Sequence, residues 1–396
     1  MSDIKIEHLR DAGDIRAFAE TARSEGRLAL DTEFVWERTY SPVPCLLQLA
    51  TAVRVVVVDP LEDVDVGPIA ELVADPAVQL VMHAPAGDLL LFATRYGVRA
   101  TSVFDTQLAA GFVGHGISMA YDRLVERVAG VALQHNETFS DWSRRPLTEA
   151  QIEYAADDVR YLFAVADSLV AKLDEMGRRS WAEDEISRRY GPDATIEPDP
   201  QRAYLKVASR GRLSGRQLAQ LRAVAAWREE EARSRDLPPG WVLKDPSVVE
   251  VARRNPQDVA ALGKLRGLGN LSASAGQRLL DALARAGDGE PPQTTRELPP
   301  GLARRVAAAS ALGSVLVRAR CEGAHIAPEL VATRAELESF VEAMAAGHEG
   351  HGLLTGWRRE LVGAELRELV QGNVALALDP QAPYVRTFPL PDQPPH

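Results

Sequence analysis

Two acidic residues end a strongly apolar stretch near the start of the chain. In "LALDTEFV", Asp31 and Glu33 follow the apolar residues 28–30 and flank Thr32. Alternate side chains of an extended strand project from the same face, so both carboxylates are expected on one side. Acidic residues are depleted in strands, and like charges this close repel each other. We therefore expect a lysine or arginine, a proton or a metal ion between them.

Asp88 and Asp105 stand at two further boundaries between apolar elements. Asp88 follows the apolar run at 78–83 and opens an apolar helix, and Asp105 precedes the helical segment at 106–113. A helix N-terminus stabilises an aspartate, so helix capping is an alternative explanation for each. Asp105 is interpreted as structural, whereas Asp88 is a candidate for chemistry.

A tyrosine and an aspartate share one face of a later predicted helix. In "IEYAADDVRYLF", Tyr154 and Asp158 are four positions apart, which places them about one turn from each other, while Asp157 is expected to face solvent. Carboxylates without a cysteine or histidine cluster bind Mg²⁺ or Mn²⁺ rather than zinc. Two such ions stabilise the attacking and leaving oxygens of an in-line displacement. Together the acidic residues therefore indicate phosphodiester hydrolysis at a two-metal site.

A predicted mixed sheet flanked by helices positions these residues. Three apolar runs with short connections, and a fourth further on, predict strands, and the segments between and after them have helical periodicity. Such an arrangement is typical of an α/β layer architecture. The predicted strands cover residues 27–35, 45–51, 53–58 and 78–83, and the predicted helices cover residues 67–74, 86–96, 106–113, 118–129 and 148–175.

The second half of the chain is predicted to be all-α. A linker rich in proline and acidic residues at 188–201 and a second break at 287–300 divide the chain. Two helical regions of similar length follow these breaks, which favours a diverged duplication, although their residues do not align clearly. The tail is expected to be extended or disordered because it is rich in proline. The predicted domains are 1–190 with the sheet, 202–287 and 297–380 as helical domains, and 381–396 as the tail.

Composition restricts the class of protein. The 396 residues are 46% hydrophobic and 26% charged, as in globular proteins, and they exceed one ordinary core. No apolar run approaches the roughly 18–20 residues of a membrane span, and the acidic N-terminus lacks an export signal. Cys45 and Cys321 are the only cysteines, which excludes a multi-cysteine zinc site. We expect a cytoplasmic protein that does not contact membranes.

The net charge of −11 is unevenly distributed. Residues 1–200 carry 19 lysines and arginines against 34 acidic residues, 201–290 carry 16 against 10, and 291–396 carry 10 against 12. A basic middle segment beside an acidic first half indicates that binding and chemistry are divided between the two. Ordinary charge fluctuation is the alternative.

The order of the candidate residues resembles a known group of nucleases. Asp-x-Glu, Asp and Tyr-x3-Asp follow one another as in the DEDD exonuclease superfamily, and Glu153 occupies the position of the histidine in the histidine subclass, so the tyrosine subclass is indicated. Three segments resemble the ribonuclease D family within it: "LALDTEFVWERTYSPVPCLLQLAT", "DWSRRPLTEAQIEYAADDVRYL" and "LLTGWRRELVG". The resemblance covers nearly the whole chain. It implies an RNase H-like 3′–5′ exonuclease fold, an HRDC (helicase and RNase D C-terminal) domain at 202–287 and a second, diverged copy at 297–380.

The resemblance also implies roles for individual residues. Asp31, Glu33 and Asp158 would be direct or bridging ligands of two Mg²⁺ or Mn²⁺ ions, and Asp88 would complete the set through water. Tyr154 would orient the attacking water through its hydroxyl. Since no histidine stands at the general-base position, the metal itself would have to lower the pKa of the water.

Two segments depart from the family pattern. Pro85 in "HAPAGD" stands where many relatives have polar residues, so this loop is expected to differ in shape. The segment "LQHNETFSDW" lacks a lysine that relatives often carry, and His135 or Asn136 would have to replace it if that lysine contacts phosphate. His83 and Gln48 are interpreted as buried polar residues with satisfied hydrogen bonds rather than as substrate contacts.

Basic and aromatic residues are candidates for holding the substrate. Arg144 and Arg145 combine phosphate-binding charge with the stacking surface of Trp142; alternatively, Trp142 packs under the last helix of the first domain. Arg38 and Tyr40 also fall where substrate could lie. A basic run in the helical region favours phosphate contacts without sequence choice, against the alternative of a solvated face that binds nothing. Its members are Arg202, Lys206, Arg210, Arg212 and Arg216.

The residues and the resemblance together predict a metal-dependent 3′→5′ exoribonuclease that releases nucleoside 5′-monophosphates. The expected partner is RNA with a single-stranded 3′ end, such as a tRNA precursor, because only an unpaired end can enter a metal site at a sheet edge. A 3′→5′ DNA exonuclease with the same chemistry is one alternative. A non-catalytic nucleic-acid-binding protein with a degenerate site is another, and the intact acidic set argues against it. We expect the protein to act as a monomer.

Overall fold

A six-stranded mixed sheet is the framework of the first domain. The computed structural model describes residues 5–133, 137, 140–207, 211, 213–269, 271–287, 299–381 and 383–390. In spatial order the sheet is β1-β4-β3-β2-β5-β6, and β2 pairs antiparallel with β3 and parallel with β5. The strands are β1 (Ile6–Leu9), β2 (Arg27–Val35), β3 (Val43–Ala50), β4 (Val55–Val58), β5 (Gln79–Met82) and β6 (Val103–Asp105).

The strand β2 is central because its apolar residues are covered on both faces. Leu28 and Leu30 are fully buried in one cluster with Phe18. Ala29 belongs to a different cluster, which contains Ala156. Continuous apolar runs are typical of strands buried on both faces. The four strands predicted from apolar runs are confirmed, with ends that differ by at most two residues.

Helices cover both faces of the sheet. The helix α6 packs across β2, β3 and β4, α1 contacts β2, and α8 contacts β6. A π-helical turn at Phe92–Tyr96 continues α3. The helices are α1 (Ala12–Glu25), α2 (Gly67–Ala74), α3 (Ala86–Leu91), α4 (Thr106–Phe112), α5 (Tyr121–Ala129), α6 (Glu149–Arg160), α7 (Leu162–Glu175) and α8 (Arg179–Tyr190).

Several elements of this domain differ from the expectation. The strands β1 and β6 and the helices α1 and α8 were not predicted, and the predicted helix 148–175 is interrupted at Tyr161 between α6 and α7. The strands β1 and β6 have four and three residues, which is too short for an alternating pattern to stand out.

The region after the first domain is helical, as predicted. A 3₁₀ helix (Pro200–Lys206) leads into the first group of helices, and 3₁₀ and π turns at Gly352–Leu354 and Arg359–Gly363 interrupt the second. None of the described helices is long and apolar enough to cross a membrane. The helices are α9 (Gly215–Arg235), α10 (Pro239–Val242), α11 (Asp245–Arg254), α12 (Val259–Gly263), α13 (Ala273–Gly287), α14 (Pro300–Ala324), α15 (Pro328–Val331), α16 (Arg334–Ala345), α17 (Gly356–Arg358) and α18 (Ala364–Gln371).

A β-hairpin follows the last helix. The strands β7 (Val374–Leu378) and β8 (Val385–Pro389) pair antiparallel. The expectation of helices up to residue 380 is therefore wrong over Val374–Leu378, and the tail, expected to be extended or disordered, forms an extended strand over Val385–Pro389. The proline content of the segment concealed β8, whose Pro389 stands at the end of the strand, where a missing N–H is tolerated.

The last helical region shares a core with the first domain. Trp357 stacks on Trp181 of α8 with ring centroids 5.6 Å apart, and it meets Phe112 of α4 edge-on at 5.0 Å. The guanidinium of Arg358 donates to Glu185 at 2.7 Å. Although the sequence divides the chain into separate regions, these two are packed together.

Candidate metal centre

The strand β2 presents the first two carboxylates. Asp31 lies opposite Gln48 and Glu33 opposite Leu46 in the pairing with β3. The register shifts directly after Glu33, so that Phe34 pairs with Pro44. A β-bulge bends a strand and redirects its side chains, and bulges are common beside active sites. The two acids thus stand where the sheet changes direction.

Asp88 enters from the first turn of α3, directly after β5. It is 7% exposed and accepts a hydrogen bond from the hydroxyl of Thr32, the residue between the two β2 acids. Gly87 allows this approach, because a Cβ at that position would lie 2.9 Å from Cζ of Phe34. The preceding loop also contains Ala84 with φ of 52°. The backbone here is shaped to bring Asp88 against β2.

Tyr154 and Asp158 come from α6. The helix begins with a capping box, in which Thr148 and Gln151 exchange side-chain-to-backbone hydrogen bonds, an arrangement that stabilises a helix start. The helix crosses β2, β3 and β4. The ring centroid of Tyr154 lies 5.9 Å from that of Trp142. Tyr154 and Asp158, four positions apart, thus lie on one helix, and this helix packs against the strand of Asp31.

The negative charges of the four carboxylates act on one another and on their pKa values. Burial raises the pKa of Glu33 to about 8, and the charges of Asp158 and Asp88 add to the effect. Burial also raises the pKa of Asp158 to about 8, with contributions from Asp157 and Asp88. The pKa of Asp31 lies well above its usual value because of burial and the charges of Asp88, Asp158 and Glu33. For Asp88, burial raises the pKa to about 6.

Among the residues that the structure describes, no cation balances the charge of these acids. Within the described ranges, no arginine or lysine forms an ion pair with any of the four acids. Asp31, Glu33 and Asp158 retain partial solvent exposure, so an ion can reach them. Oxygen donors whose negative charges no described arginine or lysine balances fit a hard divalent cation. Of the cations considered from the sequence, protons or metal ions therefore remain, and lysine or arginine does not.

Asp105 is structural, as expected from its position before α4. Its carboxylate accepts hydrogen bonds from the backbone N–H of Gln107 at 2.8 Å and of Ala84 at 3.1 Å, and from the hydroxyl of Tyr190 at 3.2 Å. His83 is also satisfied, since its ring nitrogens contact Oγ1 of Thr106 at 2.9 Å and a backbone carbonyl at 3.1 Å. Both residues shape the neighbourhood of Asp88 without belonging to the acidic set.

Gln48 differs from the expectation. Its side chain is fully buried, yet neither Nε2 nor Oε1 has a hydrogen-bond partner among the described residues. Opposed residues of an antiparallel pair project from the same face, so the amide lies on the same face of the sheet as the carboxylate of Asp31. Gln48, Thr32 and Gly87 are site residues to which the sequence reasoning assigned no role at the metal centre. The only signal in the sequence is a glutamine inside an apolar strand.

The predicted substrate contacts are not all supported. Trp142 is 4% exposed and packs with the helix α6, so it offers no stacking surface. Arg145 pairs with the buried Asp59 and donates to the carbonyl of Cys45 at 2.6 Å, so its charge is already engaged. Arg144 is exposed. Arg210, Arg212, His135 and Asn136 lie outside the described residues.

Tyr40 also has a different role from the one expected. It is 8% exposed, and its hydroxyl donates to Glu229 of α9 at 2.9 Å. Its position was interpreted as one where substrate could lie, but the ring is buried between the first domain and the helical region. Arg38 is exposed.

A second group with metal-ligating atoms lies at the edge strand. His8, Asp59 and Glu62 bring one ligand atom each within 4.8 Å of the others. Asp59 is paired with Arg145, and Glu62 is paired with Arg10 at 2.9 Å. Because both carboxylates already have cationic partners, this group differs from the acidic set on β2, α3 and α6.

Comparisons with known proteins agree with the fold. The family described as 3′-5′ exonuclease matches residues 6–174, and the HRDC domain family matches residues 217–283. Ribonuclease D of Granulibacter bethesdensis is 38% identical over 92% of this chain and 93% of its own length, and that of Gluconacetobacter diazotrophicus is 40% identical over the same shares. The crystal structure of Escherichia coli RNase D, described as an exoribonuclease involved in structured RNA processing, is 30% identical and has a TM-score of 0.76 over 93% of this chain and 99% of that chain.

Proposed function

The chain belongs to the ribonuclease D family, and from this premise we propose that it is a metal-dependent enzyme that removes nucleoside 5′-monophosphates one by one from the 3′ end of RNA. The observation that carries the proposal is the group of four acids from β2, α3 and α6, whose negative charges no described cation balances. Phosphodiester hydrolysis needs concentrated positive charge at the reacting phosphate. A cluster that attracts divalent cations supplies it.

Asp31, Glu33, Asp88 and Asp158 would hold two Mg²⁺ or Mn²⁺ ions. When bound, such ions lower the pKa of water and stabilise the charge that develops on the phosphate oxygens. The four side chains belong to a central strand and two helices that pack against the sheet, so their positions are set before substrate arrives. Preorganised ligands of this kind reduce the reorganisation needed during the reaction.

Tyr154 would orient the attacking water through its hydroxyl. Its ring packs beside the buried Trp142, and this contact restricts the directions in which the hydroxyl can point. A cavity of about 370 Å³ opens next to it, with Leu133, Tyr154 and Tyr161 among its lining residues. None of the four acids lines this cavity, which borders the candidate site only at Tyr154.

The single-stranded 3′ end of a structured RNA, such as a tRNA precursor, is the proposed substrate. The exposed Arg144 stands two residues after the buried Trp142 and is a candidate for a phosphate contact. The net positive charge of residues 201–290, which includes Arg210 and Arg212, would hold the body of the RNA. Trp142 and Arg145 are left out of this proposal because of their burial and pairing.

Product analysis on a 3′-extended tRNA tests the proposal. We expect nucleoside 5′-monophosphates with Mg²⁺ or Mn²⁺, none with a chelator, and none from Asp31→Asn. Asp167→Asn is the matched control, since Asp167 is an exposed acid of α7 paired with Arg27. Full activity of Asp31→Asn would show that the acids are not a metal site. Faster hydrolysis of a DNA oligonucleotide than of an RNA of the same sequence would instead assign the chain to DNA.

A further inference from the structure

The loop between β2 and β3 is held by the end of α9. This loop, residues 36–42, directly continues the strand that carries Asp31 and Glu33. The helix α9 opens the region that matches the HRDC domain. The contacts between loop and helix join residues almost two hundred positions apart, so they form only when both regions are folded and in place.

Asp236 makes the central contact. It ends α9 in the left-handed region with φ of 46°, and its Oδ1 accepts the backbone N–H of Tyr40 at 3.0 Å and of Ser41 at 3.2 Å. Its Oδ2 accepts a hydrogen bond from Arg95 at 3.1 Å, and Arg95 also donates to the carbonyls of Ser41 at 2.9 Å and Pro42 at 2.7 Å. A carboxylate that accepts two N–H bonds and pairs with an arginine is a charge-assisted anchor.

Tyr40 provides the second contact. Its hydroxyl donates to Glu229 at 2.9 Å and accepts a hydrogen bond from Arg233 at 3.5 Å, whose guanidinium lies 5.6 Å from the ring centroid. Cation–π contacts of this kind add to the hydrogen bonds. Tyr40 therefore reaches two residues of α9, one and two turns before Asp236.

A continuous series of contacts leads from this loop to Asp88. The indole N–H of Trp36 donates to the carbonyl of Tyr40 at 2.7 Å, and its ring meets Phe34 edge-on at 6.5 Å. Phe34 packs so closely on Gly87 that a Cβ there would lie 2.9 Å from its ring. Gly87 precedes Asp88. Packed side chains with few alternative arrangements transmit displacement between sites.

We propose that α9 positions the metal-binding acids of the first domain through the loop 36–42, with Asp236 as the positioning residue. The inference rests on the proposed function for its kinetic consequence, but the contact itself does not depend on it. The helical region would then do more than bind RNA, because its docking would set the placement of Glu33 and Asp88. A substrate too short to reach the helical region would still be hydrolysed more slowly when the contact is broken.

Three full-length variants test this inference. Asp236→Gly removes the carboxylate, while glycine adopts the left-handed conformation without strain. Asp236→Asn keeps an acceptor for the two N–H groups and tolerates the same conformation. Asn255→Gly is the matched control, since Asn255 ends α11 of the same region with φ of 45°. Hydrogen exchange of segments 36–42 and 84–92 is measured by mass spectrometry, and hydrolysis of a tetranucleotide is followed against Mg²⁺ concentration.

We expect Asp236→Gly to accelerate exchange in 36–42 about tenfold, the factor that one charged hydrogen bond supplies, and to accelerate exchange in 84–92 as well. The half-saturating Mg²⁺ concentration should rise about threefold, within the range of couplings through packed side chains. Asp236→Asn should lie between Asp236→Gly and the unmodified chain, and Asn255→Gly should match the unmodified chain.

Two results would overturn the inference. Unchanged exchange in 36–42 in Asp236→Gly would show that the contact does not hold the loop. Faster exchange in 36–42 with unchanged exchange in 84–92 and unchanged Mg²⁺ dependence would show that the loop does not position the acids. If the unmodified chain hydrolysed no RNA, the proposed function would be wrong. The hydrogen exchange of segments 36–42 and 84–92 would still show whether the contact with Asp236 holds the loop and the segment of Asp88.

Discussion

Gln48 faces Asp31 across the antiparallel pairing of β2 and β3, with its amide fully buried and without a hydrogen-bond partner among the described residues. A buried polar group without a partner destabilises the fold. Such a residue at the metal centre is expected to act on its neighbour, here by holding the carboxylate of Asp31 or its water. Removing the amide of Gln48 should therefore raise the stability of the fold and lower the activity.

Replacing Gln48 with leucine removes the unpartnered amide at similar volume. We expect the free energy of unfolding of the metal-free protein to rise by about 1–2 kcal/mol, while kcat falls. Urea unfolding in a chelator and initial rates in Mg²⁺ measure the two quantities. Thr51→Val is the control, since Thr51 is also buried with an unpartnered hydroxyl but stands beyond the end of β3. Lower stability together with unchanged kcat in Gln48→Leu would mean that Gln48 only fills space.

The acidic set makes the stability of the metal-free protein depend on pH. Burial and neighbouring charges raise the pKa of Glu33 and Asp158 to about 8, whereas both carboxyls titrate near pH 4 in an unfolded chain. Between these values the folded protein binds more protons than the unfolded one, so its stability falls as pH rises. The stabilisation is complete below about pH 4 and is lost as pH passes about 8.

Thermal unfolding in a chelator measures this dependence. We expect Tm to decrease from about pH 5 to about pH 8 in the unmodified chain and to decrease less in Asp158→Asn, which removes one titrating group and its repulsion. Mg²⁺ should oppose the decrease, because ligands bind metal in their deprotonated form. An identical pH slope in Asp158→Asn and the unmodified chain would contradict the assignment of raised pKa values to this cluster.

The local sequence was sufficient to single out most residues of the candidate site. Asp31 and Glu33 stood out because acids are unexpected at the end of an apolar strand, and Tyr154 and Asp158 because a four-residue spacing defines a helix face. These patterns are local, so they can be recognised without knowledge of the fold. The placement of Asp88 beside them depended on the family resemblance, because a helix cap explains an aspartate equally well at the sequence level.

The remaining features depend on contacts between distant segments. Arg145 pairs with Asp59, which is 86 positions away in the sequence. Trp142 is buried against residues from more than one element. Tyr40 and Glu229 are 189 positions apart. The local sequence pattern does not indicate such contacts, because it does not distinguish an exposed arginine from an arginine in an ion pair. The hairpin of β7 and β8 was missed because proline argues against strands in general.

Gly87 is predicted to be essential for activity because of the space it leaves. Alanine would favour the helix α3 by about 1 kcal/mol in propensity, but its Cβ would lie 2.9 Å from the ring of Phe34. We expect Gly87→Ala to lower kcat by displacing Asp88, and Phe34→Leu to restore much of the loss in the double variant. Rates of the four proteins of this double-mutant cycle measure the coupling. Additive effects would show that the close contact does not matter.

Trp357 belongs to the last helical region and is predicted to stabilise the first domain. Its ring is 4% exposed and lies between Trp181 and Phe112, so Trp357→Ala should lower the free energy of unfolding by about 3–5 kcal/mol. Hydrogen exchange should accelerate in α4 and α8 as well as around residue 357. Trp227→Ala is the matched control, since Trp227 is 5% exposed in the core of residues 203–283 and should affect mainly that region. If Trp357→Ala left α4 and α8 protected, the last helical region would be a separate unit, and truncation before residue 299 would leave the metal centre intact.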